Sequence, residues 1–251
     1  MSWIILCNIY HAPTIIKNFL AKVVNLNANN FEKTFWNYYL ELERQYLEIE
    51  LIIPFDEINY STFSYKYRDL LWTICSEIDV LFREYMKIEG FTPDLDDEGN
   101  PIYNINQYNK FVNSKIQNFK TQEITCYNPK FNKKKIHPYK NWENEPPKWW
   151  QIYNKIKHNP EKIKYGKKAY KCANQICTLN ALGGLFQLNL YIYKKLKENC
   201  DDEMKVPIFE SNLFKLENWG NDYDHIINGR DASKAVDDLL DKLIKKVSEQ
   251  Y

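Results

Sequence analysis

The stretch GKKAYKCANQICTLNALGGLFQLNLYIYKKLKEN, residues 166–199, decides the fold class. Apolar side chains recur along it at helical spacing, which predicts one long helix from about Gly166 to Asn199. The apolar stripe consists of Tyr170, Ala173, Ile176, Cys177, Leu179, Leu182, Leu185, Phe186, Leu188, Leu190 and Ile192. Because a glycine costs about 1 kcal/mol relative to alanine inside a helix, the Gly183–Gly184 pair indicates close packing against another helix.

The same periodicity predicts helices along most of the chain. The expected helices cover residues 15–24, 30–46, 61–86, 104–119, 148–158 and 231–247. Asn30 is the expected cap of the second, and the alternation through Ile49 and Ile53 fits either a short strand or a frayed helix end. Residues 91–102 read as a loop, 123–142 as irregular with a small hairpin, and 209–219 as ambiguous. We therefore expect a mainly α fold, a helical bundle with at most a minor β element.

Composition excludes several classes of protein. Of the 251 residues, 44% are hydrophobic and 16% aromatic, which excludes general disorder. Only 7 glycines are present, which argues against a glycine-rich phosphate loop. The 34 basic residues include only 4 arginines, a bias typical of an AT-rich bacterial or phage genome.

The sequence predicts a cytoplasmic protein that holds no metal or cofactor. No lysine or arginine precedes the short apolar run at residues 3–7, so it does not read as a signal peptide. No segment has the ~20 apolar residues of a membrane span. The six cysteines form no C-x-x-C pair, which fits reduced and mostly buried thiols, and the four histidines form no zinc-like cluster with them.

A strongly basic block lies between Lys130 and Lys171. It contains 13 lysines, no arginine and three acidic residues, a net charge of +10. The whole chain carries +1, so the other residues carry −9. A basic block in an otherwise acidic chain is typical of a protein with an anionic partner.

Aromatic residues alternate with these lysines. They are Tyr127, Phe131, Tyr139, Trp142, Trp149, Trp150, Tyr153 and Tyr165. Aromatic faces beside cations suit single-stranded nucleic acid, since bases stack while lysines follow the phosphates. The predicted contact residues are Lys133, Lys134, Lys135, Lys140, Lys162, Lys164, Lys167 and Lys168. The alternative is that the lysines keep a surface soluble and pair with acidic residues of this chain or of a second copy.

The helix 148–158 separates an apolar face from a polar one. At about 100° per residue, Trp149, Ile152, Tyr153 and Ile156 share one arc. Asn154 and His158 lie one turn apart on the opposite side, flanked by two lysines. His158 is therefore predicted to lie outside the core. The alternatives are an ordinary solvated face and a subunit contact.

These polar residues are the candidates for catalysis: His158, Asn154, Lys157 and Lys155. Cationic neighbours favour a neutral imidazole, which can take the proton of an RNA 2′-hydroxyl. Lysines can stabilise the charge that develops on the phosphorus. This route needs no metal ion.

The pattern Tyr153-Asn154-Lys155-Ile156-Lys157-His158, on a helix followed by a long helix, resembles the HEPN superfamily of prokaryotic helical domains. Its signature is R-N-x-x-x-H; Asn154 and His158 match, whereas Tyr153 stands in place of the arginine. The resemblance covers about residues 60–200, with an insertion at 91–145. It divides the chain into an N-terminal helical extension, 1–59, this core, and a C-terminal helical extension, 201–251.

The resemblance implies a homodimer in which the motifs of two subunits form one composite site. Many members are metal-independent ribonucleases of toxin–antitoxin, abortive-infection and other antiviral defence systems, and others bind RNA or a partner protein without catalysis. Lys155, Lys157 or Arg83 would have to replace the missing arginine. We therefore expect a HEPN-like RNA-binding protein, with or without ribonuclease activity. The alternative is a non-catalytic helical protein that uses the motif face for dimer or partner contact.

Overall fold

The computed structural model describes residues 27–199, 207, 209–216 and 219. This part of the chain is mainly helical, as predicted, and carries a few short strands. The helices expected at 15–24 and 231–247 lie outside the described residues. No helix of the described part is long and apolar enough to span a bilayer.

The first helical segment has three parts that follow one another directly. They are α1 (Ala28–Phe31), a π-helical turn (Glu32–Trp36) and α2 (Asn37–Glu50). The cap is Asn27, whose side chain accepts a hydrogen bond from the Asn30 backbone at 2.9 Å, so the prediction of Asn30 as the cap was wrong by three residues. Residues 51–53 form a turn at the helix end, and no strand forms there.

The next two helices begin at side-chain caps. Ser64 caps α3 (Tyr65–Ile88), and Asn104 caps α4 (Ile105–Lys115). Both side chains accept hydrogen bonds from backbone N–H groups of the first helical turn. Such bonds satisfy donors that the helix itself leaves free. Between α3 and α4 lies the predicted loop.

Two short antiparallel sheets join the helices. Strands β1 (Ile124–Cys126) and β2 (Lys135–Ile136) form the expected hairpin, with Ile124 opposite Ile136. Strands β3 (Ile163–Lys164) and β4 (Lys167–Lys168) form a second hairpin. The last described strand, β5 (Phe214–Leu216), pairs with β1 and completes the order β2-β1-β5.

Helix α5 (Lys148–His158) has its predicted bounds, whereas α6 (Gln175–Glu198) starts later than expected. The residues before α6 form the β3–β4 hairpin and a 3₁₀ turn, Ala169–Cys172. Tyr165 and Gly166 have φ values of +51° and +73°, a left-handed pair that turns the chain back on itself. Asn174 then caps α6. The prediction of a helix from Gly166 was therefore wrong by nine residues.

Helix α6 lies at the centre of the core and packs mainly along α3. Only Gly184 meets another helix, as predicted; Gly183 packs against a hairpin and the loop after it. A Cβ on Gly183 would lie 2.5 Å from Cδ1 of Ile136 on β2. Gly184 lies against Tyr139, whose hydroxyl donates to the Gly184 carbonyl at 3.0 Å, and against Trp149 of α5. The two glycines therefore allow the β1–β2 hairpin and the loop after it to approach α6 closely. Helix α5 approaches α6 in this way only at Gly184.

A buried carboxylate attaches the segment before β5 to α2. Glu43 is 1% exposed and accepts hydrogen bonds from the Tyr39 hydroxyl at 2.5 Å, the Ser211 hydroxyl and the Asn212 backbone at 2.7 Å. Burial raises the pKa of the Glu43 carboxyl, against the hydrogen bonds from Ser211 and Tyr39. Buried residues of α2, of α3 to α6 and of β5 belong to one hydrophobic core. The division of the chain into three parts stays a prediction.

Candidate nucleic-acid interface

Helix α5 presents the predicted residues on the predicted face. Trp149, Ile152, Tyr153 and Ile156 are buried. Asn154 and Lys155 are half-buried, and Lys157 and His158 are exposed. The candidate catalytic residues thus lie together on the outer side of α5, open to a partner. Their chemical roles stay predictions.

Tyr153 occupies the position of the family arginine, and its ring is part of the core. It is 6% exposed and packs edge-on against Trp72 of α3, with 5.7 Å between the ring centroids. Trp150 lies on another side at 5.3 Å. The Lys157 ammonium lies 5.8 Å above the Tyr153 ring. A buried aromatic ring therefore stands where the family signature has a cation.

Arg83 does not replace that cation within this chain. Its guanidinium pairs with Asp79 at 2.5 Å and lies 5.0 Å above the Tyr103 ring. Trp72 is the α3 residue beside Tyr153, and Arg83 lies eleven residues further along α3, a rise of about 16 Å. Arg83 therefore does not lie beside Tyr153 within this chain, and its role in a composite site stays a prediction.

A different arginine lies near the end of α5. Arg68, one turn before Trp72, lines a groove of about 690 Å³ together with Ile156 and Pro160. It pairs with Asp69 at 2.6 Å and lies 4.9 Å above the Tyr65 ring. Tyr65 is 60% exposed and Trp72 40%. Arg68 was not predicted from the sequence, because only the packing of α3 against α5 brings it to this position.

Among the described residues, some lysines of the basic block form ion pairs and others do not. Lys130 pairs with Glu50 at 3.0 Å, Lys135 with Glu123 at 2.5 Å and Lys168 with Glu161 at 2.5 Å. The remaining predicted contacts make no ion pair among the described residues. They are Lys133, Lys134, Lys140, Lys162, Lys164 and Lys167. Lys134 lies over the Tyr60 ring, and Lys164 donates to the Gln151 side chain at 3.1 Å. Ion pairs among the described residues thus account for only some of the lysines.

The aromatic residues of the block lie mainly in the core. Phe131, Tyr139, Trp142, Trp149, Trp150 and Tyr153 are all buried. Trp149 donates from its ring nitrogen to the Pro138 carbonyl at 2.9 Å, and Tyr139 stacks on Trp142. The prediction that these rings form a stacking surface was wrong for those six. Tyr127 is half-buried, and Tyr165 is 56% exposed at the tip of the β3–β4 hairpin.

A cleft of about 530 Å³ opens beside α5, under the β3–β4 hairpin. Its charged lining consists of Lys140, Lys148, Lys167 and Glu145, together with His137. The apolar and amide lining includes Tyr165, Trp149, Ile152, Ile176, Asn141, Asn174 and Asn180. A cleft of this size, mostly apolar with a few polar groups, is typical of small-ligand sites. Lys140 and Lys167 were predicted as nucleic-acid contacts, but no pattern in the sequence indicates that they share a cleft.

The thiols at this cleft are protonated structural groups. Cys172 and Cys177 line it, and burial raises the pKa of both, with Cys172 also near the ammonium groups of Lys167 and Lys164. Cys75, Cys126, Cys172 and Cys177 are free and buried. Within the described ranges no group of three or more His, Cys, Asp or Glu residues is arranged to hold a metal ion.

Comparison with known proteins gives no relative. No family model matches the chain, and neither a curated protein nor a solved structure matches it. The function must therefore be argued from the geometry of α5, the hairpin and the cleft.

Proposed function

We propose that this protein binds single-stranded RNA through the polar face of α5 and the lysine-lined cleft near the start of the same helix, as a HEPN-like member of a bacterial or phage defence system. One observation carries the proposal: Lys140, Lys148 and Lys167 meet at one cleft without an acidic partner among the described residues. Three ammonium groups that line one cleft repel one another, and Glu145 in the same lining offsets only one of these charges. A polyanion removes that cost, and the exposed Tyr165 beside them offers a face for a base.

The resemblance to the HEPN superfamily supports RNA as the polyanion. Asn154 and His158 are accessible from one side of α5, next to Lys155 and Lys157. A homodimer that brings two such faces together would join two basic surfaces, and RNA between them would compensate their repulsion. The partner class and the dimer are both parts of this proposal.

Salt dependence tests the binding. If three lysines displace counterions from a single strand, the slope of log affinity against log salt is about −2, and affinity falls roughly 20-fold between about 50 and 200 mM salt. Fluorescence anisotropy with a labelled single-stranded RNA measures this slope. Lys167→Ala should reduce its magnitude by about 0.7, whereas Lys33→Ala, an exposed lysine on the π-helical turn, should not change it. Binding that ignores salt, or equal effects of the two variants, would contradict the proposal.

Metal-independent RNA cleavage is a second candidate activity. The accessible His158 beside Asn154 and the two lysines favours it, whereas the buried ring of Tyr153 disfavours it. Incubation of the purified protein with RNA in EDTA tests it. Cleavage that disappears in His158→Ala would establish it, and cleavage that is absent or persists in that variant would rule it out.

A non-catalytic interaction protein is the alternative class. The groove with Tyr65, Arg68 and Trp72 favours it, since aromatic residues and arginine are enriched where proteins bind one another. Sedimentation at micromolar concentration distinguishes the two. A dimer broken by Trp72→Ala with RNA binding retained would assign the groove to subunit contact, and an RNA-inert dimer would leave interaction as the function.

A further inference from the structure

We infer that the cleft beside α5 binds the phosphorylated end of an RNA strand: the terminal phosphate on the lysines and the terminal base against Tyr165. This inference rests on the proposed function, because it names the part of the RNA that enters the cleft. Three features of the cleft support it: the net charge of its lining residues, the position of Tyr165 and the apolar side chains of its lining.

The charge of the lining matches a terminal phosphate better than an internal one. Three lysines and one glutamate line the cleft, and their formal charges sum to +2. Glu145 is already engaged, since its carboxylate accepts a hydrogen bond from Gln151 at 3.1 Å. A phosphate monoester carries about −1.5 to −2 at neutral pH, whereas an internal phosphodiester carries one charge. The monoester therefore balances the lining.

The lysines approach from three separate elements. Lys140 lies in the loop after β2, Lys148 is the first residue of α5, and Lys167 begins β4. A ligand that contacts all three lysines is therefore surrounded by these elements, whereas a ligand on a flat surface is contacted from one side only. The free N–H groups at the α5 terminus beside Lys148 add to the positive potential there.

Tyr165 is held in a conformation that its residue type disfavours. It occupies the first position of a two-residue turn with φ at +51°, where asparagine, aspartate or glycine is preferred. The Lys164 ammonium lies 4.6 Å above its ring, and the ring is 56% exposed. The turn itself does not explain a tyrosine here, whereas a stacking contact at the mouth of the cleft does.

The floor of the cleft suits a flat base. Ile152, Ile176 and Trp149 supply apolar surface, and Asn141, Asn174 and Asn180 supply amides within the same lining. Amides can bond to base edges or to sugar hydroxyls. An acidic peptide would satisfy the lysines but would leave this apolar floor without a matching surface.

Calorimetry with small probes tests the site directly. We expect AMP to bind and adenosine to bind at least about tenfold more weakly, because the charged hydrogen bonds are lost. Inorganic phosphate should also bind more weakly than AMP, and an aspartate peptide should not compete. Lys148→Ala should lower the affinity for AMP, whereas the control variant Lys33→Ala should not change it.

Tyr165→Asn separates a ligand contact from a structural role. Asparagine suits the left-handed turn, so the melting temperature should stay the same or rise. Loss of the stacking contact should lower the affinity for AMP by roughly 5- to 150-fold, which corresponds to the stacking free energy of one base. A fall in melting temperature with unchanged AMP affinity would overturn the role of Tyr165.

A pair of labelled RNA strands that differ only at one end completes the test. We expect a 5′- or 3′-phosphorylated strand to bind more tightly than its hydroxyl-ended counterpart, and this preference should vanish in Lys148→Ala. RNA binding with no end preference and no AMP binding would overturn the inference and keep the proposed function. AMP binding without RNA binding would overturn the proposed function and assign the cleft to a free nucleotide. Failure of both ligands would overturn both.

Discussion

At the scale of single residues, α5 carries two side chains that respond differently to truncation. His158 is exposed at the end of the helix, and Ile152 is 5% exposed in the core. His158→Ala should change the free energy of unfolding by no more than about 0.5 kcal/mol. Ile152→Ala should lower it by about 2 to 5 kcal/mol, because it leaves a cavity. Urea unfolding of both variants measures the difference, and a large loss in His158→Ala would show that the histidine is structural.

Tyr153 is the residue at which the family signature and the core conflict. Tyr153→Arg would put a guanidinium between Trp72 and Trp150. We expect a loss of about 2 to 4 kcal/mol, less if the new side chain extends to solvent, and no gain of RNA cleavage.

Tyr153→Phe is the matched control for that change, since it keeps the ring and its contacts. Its stability should stay within about 1 kcal/mol of the original protein. If the Tyr153→Arg protein is stable and cleaves RNA, the pocket accepts the cation and the tyrosine alone blocks catalysis in the original protein.

At the scale of elements, the glycine pair of α6 sets the distance to the β1–β2 hairpin. Gly183→Ala gains helix propensity but puts a methyl group 2.5 Å from Cδ1 of the buried Ile136. We expect a net loss of about 1 to 3 kcal/mol, because the buried Ile136 side chain must change its conformation to admit the methyl group.

Gly184→Ala is the internal comparison, because its nearest contacts are longer, at 3.2 Å and 3.3 Å. A gain of helix propensity of about 1 kcal/mol should offset much of its strain. Thermal unfolding ranks the two variants, and a Gly183→Ala protein as stable as Gly184→Ala would show that the hairpin moves away without cost.

The elements also show which patterns in the sequence carry structural information. The bounds of α5 follow from Pro147 at its start and from a clear apolar arc, and both signals are local. The start of α6 does not follow from such a signal, since Tyr170 and Ala173, which lie in and just after the 3₁₀ turn, continue the helical spacing by chance. The turn at Tyr165-Gly166 gives a weak signal, because tyrosine is unusual there.

Only part of the candidate site could be predicted from the sequence, for a related reason. An alternation of aromatic residues and lysines has the same appearance whether the rings stack on bases or pack in a core. For Trp142, Trp149 and Trp150 the core prevails. The cleft itself depends on three elements distant in sequence, which no local pattern connects.

At the scale of the whole molecule, Glu43 makes stability depend on pH. Its pKa lies above the ordinary value of 4.5 in the folded state, so folding favours the protonated form. The stability that Glu43 contributes is complete below about pH 4.5 and is lost as pH rises through the folded pKa.

Glu43→Gln tests this contribution, since the amide does not titrate; its oxygen can accept from the Asn212 backbone and its NH₂ group can donate to the Tyr39 hydroxyl. The stability of the original protein minus that of the variant should fall as pH rises from about 4.5 to 7, measured by urea unfolding at each pH. In Glu41→Gln the corresponding difference should be flat above pH 5, because the exposed Glu41 has a pKa of about 2. A flat difference for Glu43→Gln would contradict the assigned cause.

The contacts of Ser211 and β5 have a consequence for how the chain is made. Glu43 receives the hydrogen bond from Ser211, 168 residues later, and β1 pairs with its second neighbour only when residues 214–216 are present. During synthesis the helices α2 to α6 are present while the Glu43 carboxylate has the Tyr39 hydroxyl but lacks Ser211 and Asn212, and one edge of β1 is open. A nascent chain arrested before residue 211 should therefore expose that edge, and the ribosome must deliver nearly the entire described sequence before this core can close.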